Sequence, residues 1–291
     1  FTDASGNNNS ASNNFTWIFD STRPTMTITS STVNNGDTSN DQIISLTFTS
    51  SESTSNFVVG DITVSSGTLS DFIGSGTTYT AILTPSGDAT YTISVAENSF
   101  TDTAGNNNTA SNNFSWTLDS TSPTMTITSS TVSSGDTSND STINVTFTSD
   151  EFTTNFVEGD ITVTNGSLSN FAGSGTTYTA TLTPTTDGTC TVFVAAFTFT
   201  DSSGNNNSAS NNFSWTYDST GPTMTITSST VTSGDTTNDT SISLTFTTNE
   251  TTTNFVESDI TLVNGTLSNF AGSNKVYTAT FTPTTLSLIH I

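Results

Sequence analysis

The stretch FTDTAGNNNTASNNFSWTLD, residues 100–119, runs from an acidic turn through an asparagine tract into an alternating segment that ends in aspartate. Almost the same words begin at Phe1 (FTDASGNNNSASNNFTWIFD) and at Phe199 (FTDSSGNNNSASNNFSWTYD). The offset is 99 residues each time, and Trp17/Trp116/Trp215, Pro24/Pro123/Pro222 and Tyr79/Tyr178/Tyr277 keep it. A fixed period without drift means tandem copies of one module. At about 100 residues, each copy has the size of a whole domain rather than of a solenoid unit.

The copy that begins at Asp119 shows what kind of domain. PTMTIT sets Met125 and Ile127 against threonines, and STINVTFTS sets Ile143, Val145 and Phe147 on one face. FVEGDITV supplies Phe156, Ile161 and Val163, SLSNF supplies Leu168 and Phe171, and TYTATLTP supplies Tyr178, Ala180 and Leu182. TCTVFVAAF and NNFSWTYD complete the set with Cys190, Val192, Val194, Phe213, Trp215 and Tyr217. Alternation with period two is the signature of a half-buried strand, and outward threonine suits a pleated, solvated face. The breaks SSGDTSND, TNGS, GSGT, PTTDG and SSGNNN carry turn chemistry, and no helical period appears. Seven short strands per period predict an all-β chain of tandem immunoglobulin-like seven-strand β-sandwiches, beads on a string with a 99-residue repeat. Trp116 and Trp215 alternate in phase with Phe114 and Phe213, which assigns them to the core rather than to a sugar-stacking surface. The single cysteine, Cys190, excludes an intrachain disulfide; it stands where the previous copy has Tyr91, a buried small apolar residue by phase.

Three longer words, DSTSPTMTITSS, DITVTNGSLSNFAGSGTTYTATLTPTTDGT and FTDSSGNNNSASNNFSW, occur in order within one unit. Their succession resembles the bacterial Ig-like tandem repeats of large repetitive cell-surface proteins and adhesins, over residues 1–285. The resemblance implies extracellular sandwiches acting as a stalk, often stiffened by calcium, with binding modules elsewhere in the chain.

The expected organisation is a C-terminal remnant of a preceding repeat at 1–19, whole repeats at 20–118 and 119–217, and a repeat at 218–285 lacking its last two strands. The closing LSLIHI, residues 286–291, departs from the repeat and holds the only histidine, His290. It is what CTG TCT CTT ATA CAC ATC encodes, which resembles a transposase adapter of sequencing libraries, and it is set aside from fold reasoning. The orphan last strand at 1–19 and the open sheet edge of the third repeat together predict strand-donating self-association.

Charge narrows the function. The chain has 25 acids against two bases, a net charge of −23. No basic face exists for nucleic acid or anionic lipid, and no apolar run is long enough to span a membrane. Outside the last six residues there is no histidine, and no general base stands ready to activate the many serines and threonines, so no enzyme is expected. The expected function is a structural spacer of an extracellular surface protein, an adhesin, that extends a distal binding module from the cell. Neighbouring repeats are its partners. The alternative is a module that itself binds a glycan or protein ligand.

The acids suggest one more property. In a seven-strand sandwich the second-to-third and sixth-to-seventh strand loops lie at the end where the chain enters. For the middle repeat this would gather Asp119, Asp150, Glu151, Asp201 and Asn205 at one pole, facing Asp37 and Asp41, with Asp88 nearby, from the repeat before. The equivalents are Asp20, Glu52, Asp102 and Asn106 in the first whole repeat, and Asp218 and Glu250 in the third. Calcium takes six to eight oxygen ligands of these kinds, so domain junctions are candidate calcium sites. Asp and Asn are also favoured turn formers, and GDTSND lacks the ligand ladder of an EF-hand.

Overall fold

The computed structural model describes residues 1–290, with side chains through Thr284. LSLIHI, residues 286–291, therefore lies outside the residues whose side chains are described. The chain divides into two compact units, Phe1–Tyr217 and Asp218–Ile291.

In the first unit, residues 20–118 form β1 (Met26–Ser30), β2 (Thr38–Ser39), β3 (Ile44–Thr54), β4 (Ile62–Val64), β5 (Thr68–Thr84), β6 (Ala89–Val95) and β7 (Phe114–Leu118). One sheet has the order β1-β3-β5 and the other β2-β7-β6-β4. The same arrangement returns in β8 (Met125–Ser129), β9 (Thr137–Ser138), β10 (Ile143–Thr153), β11 (Ile161–Thr164), β12 (Gly166–Pro184), β13 (Gly188–Val194) and β14 (Phe213–Tyr217), with sheets β8-β10-β12 and β11-β13-β14-β9. Each pair of sheets encloses one core. The alternating residues of the sequence line it: Ile44, Leu46 and Phe48 from β3 face Tyr91, Ile93 and Val95 of β6 and Phe114 and Trp116 of β7. Trp116 is fully buried, stacks on Tyr91 at 5.5 Å and donates its indole N–H to Ser39 Oγ at 2.9 Å. Cys190 is buried in the Tyr91 position and its thiol donates to the Asn165 carbonyl. Burial raises the thiol's pKa, the opposite of what a reactive cysteine needs.

The segments SLSNF and TYTATLTP are the two arms of β12, which reverses at Gly173 and Gly175, where φ is 142° and 69°: Phe171 stacks on Tyr178 and the Asn170 amide donates to Thr181 Oγ. Two local features differ from the sequence reading. The turn GDTSND contains a two-residue strand, because Thr137 and Ser138 pair in parallel with Thr216 and Tyr217. Within FVEGDITV, Glu158–Asp160 form a single 3-10 turn before the strand begins. That turn is short enough to leave no periodicity in the sequence.

The second unit has one sheet among the described residues, β15-β16-β17, from β15 (Met224–Ser228), β16 (Ile242–Thr252) and β17 (Thr261–His290). Its fully buried apolar side chains are Leu244, Phe246, Ile260, Tyr277, Ala279 and Phe281. Met224, Ile226 and Ile242, whose counterparts in the first sandwich are sealed, are only half-buried.

Candidate metal centre

The asparagine tract determines where the acids stand. Asn108 is completely buried, and its amide uses its full hydrogen-bonding capacity on the loop around it. Its Oδ1 accepts from the backbone N–H of Ser99 and Phe100, and its Nδ2 donates to the carbonyls of Ala96 and Thr109, at 2.7–2.9 Å. Asn207 does the same between Ala195 and Ser208. Each plug clamps an acidic turn. Asp102 Oδ1 accepts from the N–H of Ala104 and of Asn106, and the Asn106 amide donates to Asp102 Oδ2. Asp201 is bound identically by Ser203 and Asn205. A lone bridge pair, Thr54 with Asp102 and Thr153 with Asp201, ties the turn to the end of β3 or β10. Glu52 and Glu151 sit at those strand ends.

The result is two groups of three carboxylates, Asp20 with Glu52 and Asp102, and Asp119 with Glu151 and Asp201. In each, one oxygen per residue lies within 4.8 Å of the others. Burial, hydrogen bonding to Asp102 and the charges of Asp20 and Asp102 raise the pKa of Glu52. The same causes act on Glu151 in the order burial, the Asp201 hydrogen bond, then the charges of Asp119, Asp201 and Asp150, and carry it to about 7. Burial also works to raise Asp102 and Asp201. Hydrogen bonds from Asn106 and Asn205, and from the backbone of each turn, outweigh it and hold both aspartates below the ordinary value. Glu151 Oε2 is buried without a hydrogen-bond partner. The chain's two cations are engaged elsewhere, Arg23 with Asn98, Asn107, Asn108 and Glu97, and Lys275 with the Asn249 carbonyl. Like charges this close require a shared proton or a cation, and a set of carboxylate oxygens fits a hard divalent ion. These acidic groups could hold a metal ion.

Around this geometry lies a known sequence pattern. The family model described as bacterial Ig-like domain matches residues 20–118, 119–217 and 218–287. The chain belongs to the bacterial Ig-like domain family. No curated protein matches it. Solved structures that match include invasin, a bacterial integrin-binding protein, at 16% identity over 89% of this chain and 55% of that one, with a TM-score of 0.34. The C-terminal domain of the AgI/II polypeptide BspA of Streptococcus agalactiae matches at 9% identity over 66% of this chain and 99% of that one, with a TM-score of 0.35. The chain thus spans about half the length of the invasin structure. Likenesses this distant say nothing about partners.

The Ig-like repeats place the remaining acids in other roles. Asp150 accepts from Thr124 N–H and Oγ at 2.7 and 2.6 Å, securing the start of β8. Asp37 accepts from Asn34 in its own turn, and Asp41 accepts from Ser39 Oγ. Asp88 reaches the link between the two sandwiches, accepting from Ser120 N–H, Ser120 Oγ and Thr121 Oγ. Asn106 and Asn205 present amide nitrogen to the acids and donate to the Asp20 and Asp119 carbonyls, so they bind the entering chain to the loop. Asp218 accepts from Thr220 N–H and Glu250 from the Asn249 amide, and among the described residues neither belongs to a group of three acids. Asn108, Asn207 and Ser203, whose Oγ donates to Asp119 Oδ2 at 2.7 Å, were not singled out from the sequence. In a tract of three asparagines only packing reveals which one is the plug.

Proposed function

We propose that this chain is a non-catalytic spacer segment of an extracellular surface protein of the adhesin type, and that calcium stiffens its domain junctions. On this reading residues 20–118 and 119–217 are whole repeats, residues 1–19 belong to a preceding repeat, and a third repeat begins at 218. The observation that carries the proposal is the grip on the link at residues 119–124. From the first sandwich, Asp88 binds Ser120 and Thr121, and the Ser39 carbonyl accepts the Asp119 N–H. From the second, Ser203 and Asn205 bind Asp119, and Asp150 binds Thr124. The sandwiches also touch directly, Asn40 N–H donating to the Ser203 carbonyl at 3.1 Å. A link held from both sides transmits orientation, which is what a stalk requires and a flexible tether does not supply.

The acid group inside that grip supports calcium in particular. Asp119, Glu151 and Asp201 offer oxygen donors only, at the point where two domains would otherwise pivot. Their counterpart at Asp20 is the more exposed of the two. An ion there would link the entering chain to both loops of the sandwich. Isothermal titration of the full chain with calcium, alongside its Asp119→Asn and Glu151→Gln variants, tests this. Saturable binding that each variant weakens, with a higher melting temperature in calcium than in chelator, is the expected outcome. A melting temperature unchanged by millimolar calcium would count against the metal. Saturable glycan or protein binding by the repeats themselves would favour a ligand-binding module over a spacer.

A further inference from the structure

Tandem copies of one sandwich carry a hazard that a single domain escapes. Each repeat meets the same sheet edges again at high local concentration, and an unpaired edge is a template for another strand. In both sandwiches of the first unit most edges are blunted. The second sheet ends in β2 and β4, or in β9 and β11, strands of two to four residues. The first sheet ends on one side in β5 or β12, whose folded-back arm contains a left-handed residue, Asp71 at φ 52° or Asn170 at 54°. On its other side stand β1 and β8, and nothing within those strands protects them. Met26–Ser30 and Met125–Ser129 have one sequence, MTITS, without charge, proline or glycine, and each pairs on one side only.

One side chain occupies each of these two edges instead. Ile28, at the centre of β1, donates its N–H to Asn112 Oδ1 at 2.8 Å, and its carbonyl accepts from Asn112 Nδ2 at 3.1 Å. Ile127 and Asn211 repeat the pair at 2.7 and 3.0 Å. Those are the two hydrogen bonds that a residue of an adjoining antiparallel strand would make. The tract leading to each asparagine follows the same edge, Thr109 and Ser208 donating to the Pro24 and Pro123 carbonyls. It is anchored from the opposite sheet, where Ser111 exchanges hydrogen bonds with the Val95 backbone and Ser210 with that of Val194. Asn112 and Asn211 are themselves exposed, so water would satisfy Ile28 and Ile127 in their absence. Water would not keep another strand away.

We infer that β1 and β8 are docking edges for the same strand of another copy of this chain, and that Asn112 and Asn211 hold them closed. The partner follows from the identity of the strands. An antiparallel approach sets MTITS against MTITS about a two-fold axis, with the central isoleucines opposite each other. Their N–H and carbonyl groups, which the structure turns outward to the asparagines, would then exchange both hydrogen bonds. The asparagine amide imitates that exchange and pre-empts it. An edge is used up by one partner, so a chain with one open edge stops at a dimer, and a chain with two forms longer oligomers.

Sedimentation velocity of the full chain over a wide concentration range tests the inference, with melting curves to verify that each variant is folded. The variants are Asn211→Ala alone, Asn112→Ala with Asn211→Ala, and Asn112→Asp with Asn211→Asp. Aspartate loses the amide donor as alanine does, but it leaves a charge on the edge that repels a second strand. The expected result is that Asn211→Ala adds a dimer beyond anything the native chain forms at the same concentration. The alanine pair should form larger oligomers, with association strengthened on the order of tenfold or more, and the aspartate pair should sediment as the native chain does. Alanine variants that sediment as the native chain does would overturn the inference. Equal association of the alanine and aspartate pairs would overturn it as well, because it would trace to a loosened fold rather than to an open edge.

Discussion

At the residue scale the site turns on Glu151. A carboxyl that holds its proton more tightly folded than unfolded adds stability at low pH and loses it as pH climbs through the folded value. In metal-free protein the Glu151 contribution is therefore complete below its ordinary pKa of 4.5 and gone above about 7. Asp201 is shifted the other way: its contribution is complete above its ordinary value of 3.8 and is lost as pH falls below it, so the two windows do not overlap. In chelator, the melting temperature should fall across the Glu151 window more steeply for the native chain than for Glu151→Gln. Parallel pH profiles would show that the buried Glu151 oxygen carries no penalty. That Asp119, Glu151 and Asp201 stand near one pole was expected from the sequence, because seven-strand sandwich topology puts their loops where the chain enters; that these three meet while Asp150 turns to Thr124 was not. Nor were the plug asparagines. Asn107 and Asn108 look alike as letters, and only burial separates the one that faces the core from the one that faces water.

At the element scale the reversal inside β12 is the informative case. Its 19 residues fold back on themselves as two arms, with Phe171 opposite Tyr178 and Asn170 opposite Thr181. Gly173 makes this geometry available. At its φ of 142° an added Cβ would meet the Thr177 carbonyl and Tyr178 Cα, both backbone atoms that cannot yield. The bend lays Phe171 flat against Tyr178, ring centroids 5.8 Å apart, and Tyr178 donates its hydroxyl to the Thr153 carbonyl beside the acidic turn. Gly173→Ala should destabilise the middle repeat by about 2 kcal/mol or more in chemical denaturation. A loss within about 0.5 kcal/mol, the range of ordinary surface substitutions, would mean that the bend is not strained. The sequence reading of two strands parted by GSGT matches this reversal, because the glycines there supply the positive φ that a tight turn needs.

At the scale of the whole molecule, charge and connection dominate. With a net charge of −23 and a single ion pair between described side chains, Arg23 with Glu97 at 3.7 Å, the folded chain is under self-repulsion that salt relieves. Raising monovalent salt in the presence of chelator should therefore raise the melting temperature, most steeply at low ionic strength. A flat or falling response would show that the acids are spaced widely enough not to interact. No helix among the described residues is long and apolar enough to cross a membrane. The hydroxyl-rich outer faces, Thr opposite Thr along β1 and β3 or β8 and β10, leave the sheets solvated between repeats.

The sequence by itself determined that the chain is built of β-sandwich repeats and which residues line their cores, because strand alternation and the 99-residue period are carried by near neighbours and by exact repetition. Even the stretch at residues 100–119 reads correctly on those grounds, with Phe114 and Trp116 inward and the turn ahead of them acidic. Tertiary structure alone decided which acids meet and what holds them. Asn205 binds Asp119 across 86 residues, and Ser203 of one repeat receives Asn40 of another. Such contacts depend on how sheets stack and how one sandwich is mounted on the next, and no local pattern encodes that.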